Sequence, residues 1–198
     1  MAADPIGQFE CENLLVELIG LDPTIRLDIR YATKDNFVGR KVYPEGRAFL
    51  QEPAATALVR VHQRLKIDGK GLVVFDGYRP WSITKLFWEV TPAEKRRFVA
   101  DPAKGSKHNR GCAVDLSIFS FVTGHLLPMP SGYDEFTERA SPGYGGGSEE
   151  ERRNRDTLRQ MMESEGFTVN PNEWWHFDHV GWQDYPILDL GFDEIDKT

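Results

Sequence analysis

Cysteine is scarce in this chain and long apolar runs are missing from it. Two cysteines, Cys11 and Cys112, stand among 198 residues. That is too few for a disulfide framework, and two free thiols in a reducing compartment are read in preference to a bridge. Cys112 reads as a small buried hydrophobe, since no motif supplies an activating base. No apolar stretch approaches the roughly 20 residues of a membrane span. Basic clusters are lacking too: the net charge is −7, which argues against a nucleic-acid footprint. Internal repeats, low-complexity tracts and linkers are absent. Met1-Ala2-Ala3-Asp4-Pro5 carries neither the basic n-region nor the apolar h-region of a secretory signal. The expected location is therefore cytoplasmic, or periplasmic if a leader has been removed.

What is present is an ordinary globular balance, 40% hydrophobic and 28% charged, on a length suited to one well-buried core. A single domain, residues 1–198, is expected. Ile25 to Ile29 alternates with polar residues and reads as a strand. Glu52 to Lys66 reads as a helix with Ala57, Leu58, Val61 and Leu65 on one stripe. Gly71 to Phe75 reads as a buried strand that empties into the sharp turn Asp76-Gly77-Tyr78-Arg79-Pro80. Trp81 to Val90 is helical by pattern. Thr91-Pro92-Ala93-Glu94 then predicts a second helix, with a capping box and proline at its first position. Gly111 to Ile118 reads as a strand, and Leu127 to Gly147 as a loop. Ser148 with Glu151 caps a further helix to about Glu165, ended by Gly166. Phe167 to Val169 and Trp174 to Val180 read as strands about the Asn170-Pro171-Asn172 turn. Helices and strands interleave without a βαβ rhythm. The fold class is α+β, a small, mainly antiparallel sheet flanked by helices.

Two segments carry chemistry. The first is Ser106-Lys107-His108-Asn109-Arg110-Gly111-Cys112-Ala113-Val114-Asp115, and the second is Glu173-Trp174-Trp175-His176. Together they hold two imidazoles, a ligand carboxylate and a spare carboxylate. Three protein ligands, a position for water and a base make a catalytic zinc site. Gly111 can relieve the turn that returns His108 over the strand bearing Asp115. Glu173 and His176 fall on opposite faces of a regular strand, so the site requires a turn or bulge near Asn172 to re-aim Glu173. Spacing alone leaves two readings open. One is zinc; the other makes Trp174, Trp175 and Phe177 core and His176 a satisfied core histidine.

The pattern Ser-x-His-x6-Asp followed by Glu-x-x-His resembles the D-alanyl-D-alanine dipeptidases of the VanX type, zinc enzymes among the D,D-peptidases with a hedgehog-like fold. Tyr31-Ala32-Thr33-Lys34-Asp35-Asn36-Phe37, Asp76-Gly77-Tyr78-Arg79-Pro80 and Gly132-Tyr133-Asp134-Glu135-Phe136 resemble further signatures of that family, in its order. The resemblance implies one zinc ion per chain on His108, Asp115 and His176, with Glu173 as general base. It implies that Arg79 stabilises charge on the scissile carbonyl, that Asp134 pairs with the dipeptide's ammonium group and that Ser106 bonds its carboxylate. The implied activity is hydrolysis of D-Ala-D-Ala, either in vancomycin-type resistance or in recycling of cell-wall D-alanine. The implied partner is that small dipeptide, not a nucleic acid or a membrane. The nearest alternative is a zinc D,D-carboxypeptidase acting on longer peptidoglycan stems. A zinc-stabilised binding protein without catalysis is a third reading, opposed by the presence of both Glu173 and Arg79.

Overall fold

The computed structural model describes residues 15–195. In chain order its elements are β1 (Leu15–Glu17), the one-turn α1 (Leu18–Leu21), β2 (Arg26–Leu27), β3 (Phe49–Gln51), α2 (Glu52–Ile67), β4 (Lys70–Asp76) and α3 (Trp81–Val90). Then come β5 (Ala113–Ser120), α4 (Glu149–Glu163), β6 (Phe167–Asn170), β7 (Glu173–His179) and a short α5 (Phe192–Ile195). Five strands form one sheet in the order β2-β4-β5-β7-β6. Its pairs are antiparallel except for β2 with β4. β1 and β3 make a separate antiparallel ribbon. The architecture is α+β with a small, mainly antiparallel sheet, as the interleaved pattern implies.

Local chemistry explains the two long helices. α2 takes proline in its first turn, where a missing N–H costs nothing, and Arg64 and Lys66 in its last, where they oppose the helix dipole. α4 opens on the capping box. The Glu151 N–H donates to Ser148 Oγ at 3.1 Å and the Ser148 N–H to Glu151 Oε2 at 2.6 Å. Both helices pack on the same face of the sheet. There Leu72 and Val74 of β4, Val114, Leu116 and Ile118 of β5 and Phe177 of β7 join Leu58, Val61, Leu65, Leu158 and Met162 in one core. The alternate residues Val73, Phe75 and Phe119 form a smaller cluster on the opposite face, with Tyr133 of the long loop packed on it. That second face, turned away from α2 and α4, carries the site.

Two expected elements differ. The segment after Thr91 is a 3-10 turn, Ala93–Phe98, with no side-chain cap. The Thr91 hydroxyl donates backward to the Phe87 carbonyl at 2.6 Å, so it closes α3 and does not open a new helix. The strand expected over Ile25 to Ile29 shortens to Arg26–Leu27, because Arg30–Ala32 turns into a 3-10 helix. Cys112 is buried, and burial pushes its thiol up to about 12, in keeping with an inert hydrophobe. Cys11 lies outside the described residues.

The shortness of β2 gives His62 its place. The Leu72 N–H donates to His62 Nδ1 at 3.0 Å, and His62 Nε2 sits 2.9 Å from the Thr24 hydroxyl. The ring does for β4 what a longer edge strand would. Burial lowers the His62 pKa, and Lys66 adds to this while Asp22 opposes it. A depressed folded-state value favours the neutral ring. Its contribution is whole above the unfolded value of about 6.5 and is lost as pH falls through the lower folded one. His62→Ala leaves the Leu72 N–H unpaired and should cost about 1–3 kcal/mol in denaturant melts at neutral pH. It should also flatten the fall in stability just below pH ~6.5. An unchanged midpoint and an unchanged pH profile would refute this role.

Candidate metal centre and active site

Two irregularities in the sheet build the site. The register of β4 on β5 runs Val74↔Leu116 and then Asp76↔Asp115, so β4 spends two residues where β5 spends one. Without that bulge the pleat would point Asp76 with Leu72 and Val74 into the core. With it, Asp76 stands beside Asp115, and Asp115 is paired in turn with His176 of β7. The three side chains form one row across three neighbouring strands. The second irregularity lies at the start of β7, where Val169↔Phe177 is followed by Asn170↔Glu173. Strict alternation fails there. Glu173 Oε2 consequently lies 3.9 Å from His176 Nδ1 although the two are three apart on a strand. The bulge that the Glu-x-x-His spacing demands is present.

His108 comes from a 3-10 turn, His108–Arg110, closed by Gly111 in the left-handed region at φ 67°. That conformation is one L side chains rarely adopt, so glycine is favoured there by its backbone freedom. His108 Nε2 approaches His176 Nδ1 at 3.1 Å and Asp115 Oδ1 at 3.4 Å, and His176 Nδ1 meets the same oxygen at 2.9 Å. Ligand atoms of the three buried residues all fall within 4.8 Å of one another. Each imidazole has its far nitrogen engaged: His108 Nδ1 with the Gly77 carbonyl at 2.7 Å, His176 Nε2 with Asp178 at 2.9 Å. Burial would lower the His176 pKa, but hydrogen bonds to Asp115 and Asp178 push it up to about 10. Burial would raise Asp115, yet His108 and then His176 hold it far below the usual carboxylate range. The field that favours a proton on the His176 ring equally favours a divalent cation beside it. Two imidazole nitrogens and one carboxylate oxygen are a suitable donor set for such an ion.

Arg79 is buried beside the metal group. It is 8% exposed. Its Nε and Nη2 both donate to Asp76 Oδ2, at 3.0 and 2.7 Å, and its guanidinium lies over the Phe87 and Tyr31 rings. Asp76 Oδ1 accepts from Tyr43 and from the Gly77 N–H. The fully buried Asn109 ties this turn to the His108 loop. Its amide donates to the Arg79 carbonyl and to Thr84 Oγ1, both at 2.8 Å, and its Oδ1 accepts from the Ser106 N–H at 2.7 Å. Sequence reading overlooked Asp76, Asn109 and Asp178 as contributors. Asp76 opens a turn already singled out in the sequence, and Asp178 lies two residues from His176 and so shares its strand face.

The remaining expected residues surround one cavity of about 230 Å³, which His108, Asp115, His176, Arg79, Ser106, Asp134 and Glu173 all help to line. That is below the roughly 300–1,000 Å³ of drug-sized pockets and suits a small substrate. Burial raises the Glu173 carboxyl to about 7, with His176 opposing. Asp134 adopts φ 56°, the only non-glycine residue with positive φ among those described. Such strain persists where the surroundings over-determine it. Its Oδ2 accepts from Tyr31 at 3.0 Å, and Tyr133 donates to Asp115 at 3.0 Å with the two phenol oxygens 3.3 Å apart. Burial, then the Asp115 charge, raise Asp134 well above its ordinary value. The Ser106 hydroxyl oxygen accepts the His108 N–H at 3.2 Å, leaving its own proton free to donate elsewhere. All seven expected residues therefore converge. His125 and His179 take no part in the cavity lining.

The chain is similar to known proteins over most of its length. The sequence profile of the peptidase family described as D-ala-D-ala dipeptidase matches residues 11–192. A D-alanyl-D-alanine dipeptidase of Escherichia coli is 33% identical over 174 residues, 88% of this chain and 89% of its own length. A protein of the same description from Enterococcus faecium is 33% identical, covering 77% of this chain and 85% of its own. Among solved structures, the LD-carboxypeptidase LdcB superposes with a TM-score of 0.50 at 17% identity, over 96% of this chain and 79% of its own. That likeness concerns the fold alone.

The shared carboxylate oxygen makes metal retention the direct test of the trio. His108→Ala and His176→Ala should each abolish stoichiometric binding of a divalent ion by the folded chain, read by elemental analysis after dialysis. One retained ion per chain in either variant would overturn the assignment.

Proposed function

This chain belongs to the D-ala-D-ala dipeptidase family of peptidases, and from that membership and the cavity described above we propose that one domain spanning residues 1–198 holds a single catalytic zinc ion on His108, Asp115 and His176. It is a metallopeptidase that hydrolyses D-Ala-D-Ala to two D-alanines, consuming a building block of the cell wall. No helix among the described residues is long and apolar enough to cross a membrane, and the substrate is a small molecule. The observation that carries the site reading is convergence: a His–Asp–His group, a half-buried glutamate, a buried arginine and a second carboxylate, Asp134, share the lining of one small cavity.

Zinc bound there would bring the pKa of a water to about 7 and polarise the scissile carbonyl. Glu173 takes the proton of the attacking water and returns it to the leaving amine. A carboxyl raised to about 7 holds that proton readily and releases it readily near neutral pH. Arg79, fixed by Asp76, meets the negative charge that grows on the carbonyl oxygen as it becomes tetrahedral. Ser106 donates its hydroxyl proton to the substrate's carboxylate. Asp134 answers the ammonium group. Burial keeps its carboxyl raised, and the arriving positive charge favours its ionisation, so each group stabilises the charge of the other. A dipeptide has charges at both ends, and a pocket that desolvates them must pair them.

The division between ligand and base is tested at Glu173. Glu173→Ala should keep one zinc per chain yet lose turnover by about 10²–10⁴-fold, the range for a general acid–base group. Loss of zinc with activity would make Glu173 a ligand instead.

Specificity is tested at Asp134. N-acetylation removes the ammonium charge and leaves the Asp134 carboxylate unpaired, a cost of about 3–5 kcal/mol for a buried charge. N-acetyl-D-Ala-D-Ala and the cell-wall pentapeptide should therefore have kcat/KM lower by roughly 10²–10³-fold or more. Asp134→Asn should weaken cleavage of the free dipeptide and narrow its advantage. Equal kcat/KM for free and acetylated substrates would instead support carboxypeptidase action on longer stems.

A further inference from the structure

The two imidazoles of the metal group are supported differently. His108 Nδ1 meets a neutral partner, the Gly77 carbonyl at 2.7 Å. His176 Nε2 meets a carboxylate, Asp178 Oδ1 at 2.9 Å, while its Nδ1 faces Asp115 at 2.9 Å. Asp178 stands two residues further along β7, so the pleat puts it on the same face as His176. Its partner across the ladder is Ala113, which is small. The other oxygen, Oδ2, lies 3.3 Å from Lys107 Nζ, and Lys107 Nζ in turn lies 5.3 Å from the Trp182 ring centre. Lys107 immediately precedes His108. The Lys107–Asp178 bridge thus joins the loop carrying one ligand to the strand carrying another.

We propose that Asp178 is a positioning residue of the metal centre: it accepts the hydrogen bond of Nε2–H and so holds the His176 ring as the Nε2–H tautomer, with Nδ1 presented to the metal. The inference rests on the zinc reading above. An amide at this position still accepts the Nε2–H bond but carries no charge. Charge and hydrogen bond are therefore separable by Asp178→Asn and Asp178→Ala.

The test uses the full chain and zinc alone. Zinc affinity is measured by chelator competition for the wild type, Asp178→Asn and Asp178→Ala, with His108→Ala as the ligand-loss control. Asp178→Asn should still bind one zinc at saturation but with Kd weakened about 10–100-fold, the usual effect of losing such a partner, and Asp178→Ala should be weaker still. Nitrogen NMR of the zinc-loaded wild type, which needs no variant to fold, should show the His176 proton on Nε2 and the metal-shifted resonance on Nδ1. Wild-type affinity in folded Asp178→Asn, or a proton on Nδ1, overturns the proposal. Absence of stoichiometric zinc binding in the wild type would overturn the metal reading itself and this inference with it.

Discussion

The carboxylate of Asp115 is the charge around which this molecule is arranged. It is 3% exposed, in the middle of the five-stranded sheet. An isolated carboxylate there would be prohibitively costly to desolvate. Both imidazoles converge on one oxygen, Tyr133 donates to the other at 3.0 Å, and Arg79 Nη2 stands 3.9 Å away. Each partner arrives from a different segment: the His108 loop, β7, the long loop and the turn after β4. Satisfying that one charge therefore brings the working parts of the site together.

Asp76 is a second buried carboxylate and acts on a different partner. Its two oxygens take four donors, Nε and Nη2 of Arg79, the Tyr43 hydroxyl and the Gly77 N–H. Gly77 is required there because a Cβ would lie 2.8 Å from the Phe49 carbonyl oxygen. Burial raises the Asp76 pKa while Arg79 opposes, so the pair is one in which either group alone would be strongly destabilising. The guanidinium is accordingly held in one orientation before any substrate arrives, which is what a group serving a transition state needs.

The sheet divides these duties between its faces. The face under α2 and α4 is mainly apolar and supplies the packing. The opposite face carries Asp76, Asp115 and His176 and is covered mainly by loops, with Phe87 of α3 against Arg79. Loops can present Ser106, Tyr133 and Asp134 from several directions, whereas a helix would present one stripe. Tyr31 and Tyr133 link Asp134 to Asp115 through their hydroxyls, so the carboxylate proposed to meet the ammonium group is tied by hydrogen bonds to the metal group.

Much of this was legible in the sequence. Periodicity and capping residues located α2, α3, α4 and the main strands, because those signals are local and follow from the repeat of each element. Residue types gave the donor set, and Gly111 gave the turn at His108. The helix expected after Thr91 was misread because a Thr-x-x-Glu pattern cannot say whether the threonine hydroxyl turns forward to a new helix or back to the Phe87 carbonyl. Tertiary structure alone decided that Glu173 reaches His176, that Asp76 stands beside Asp115, and that Arg79 is buried against Asp76. The reason is common to all three. Each depends on a bulge or a buried partner, and these arise from the register between strands far apart in the chain, which no local spacing contains.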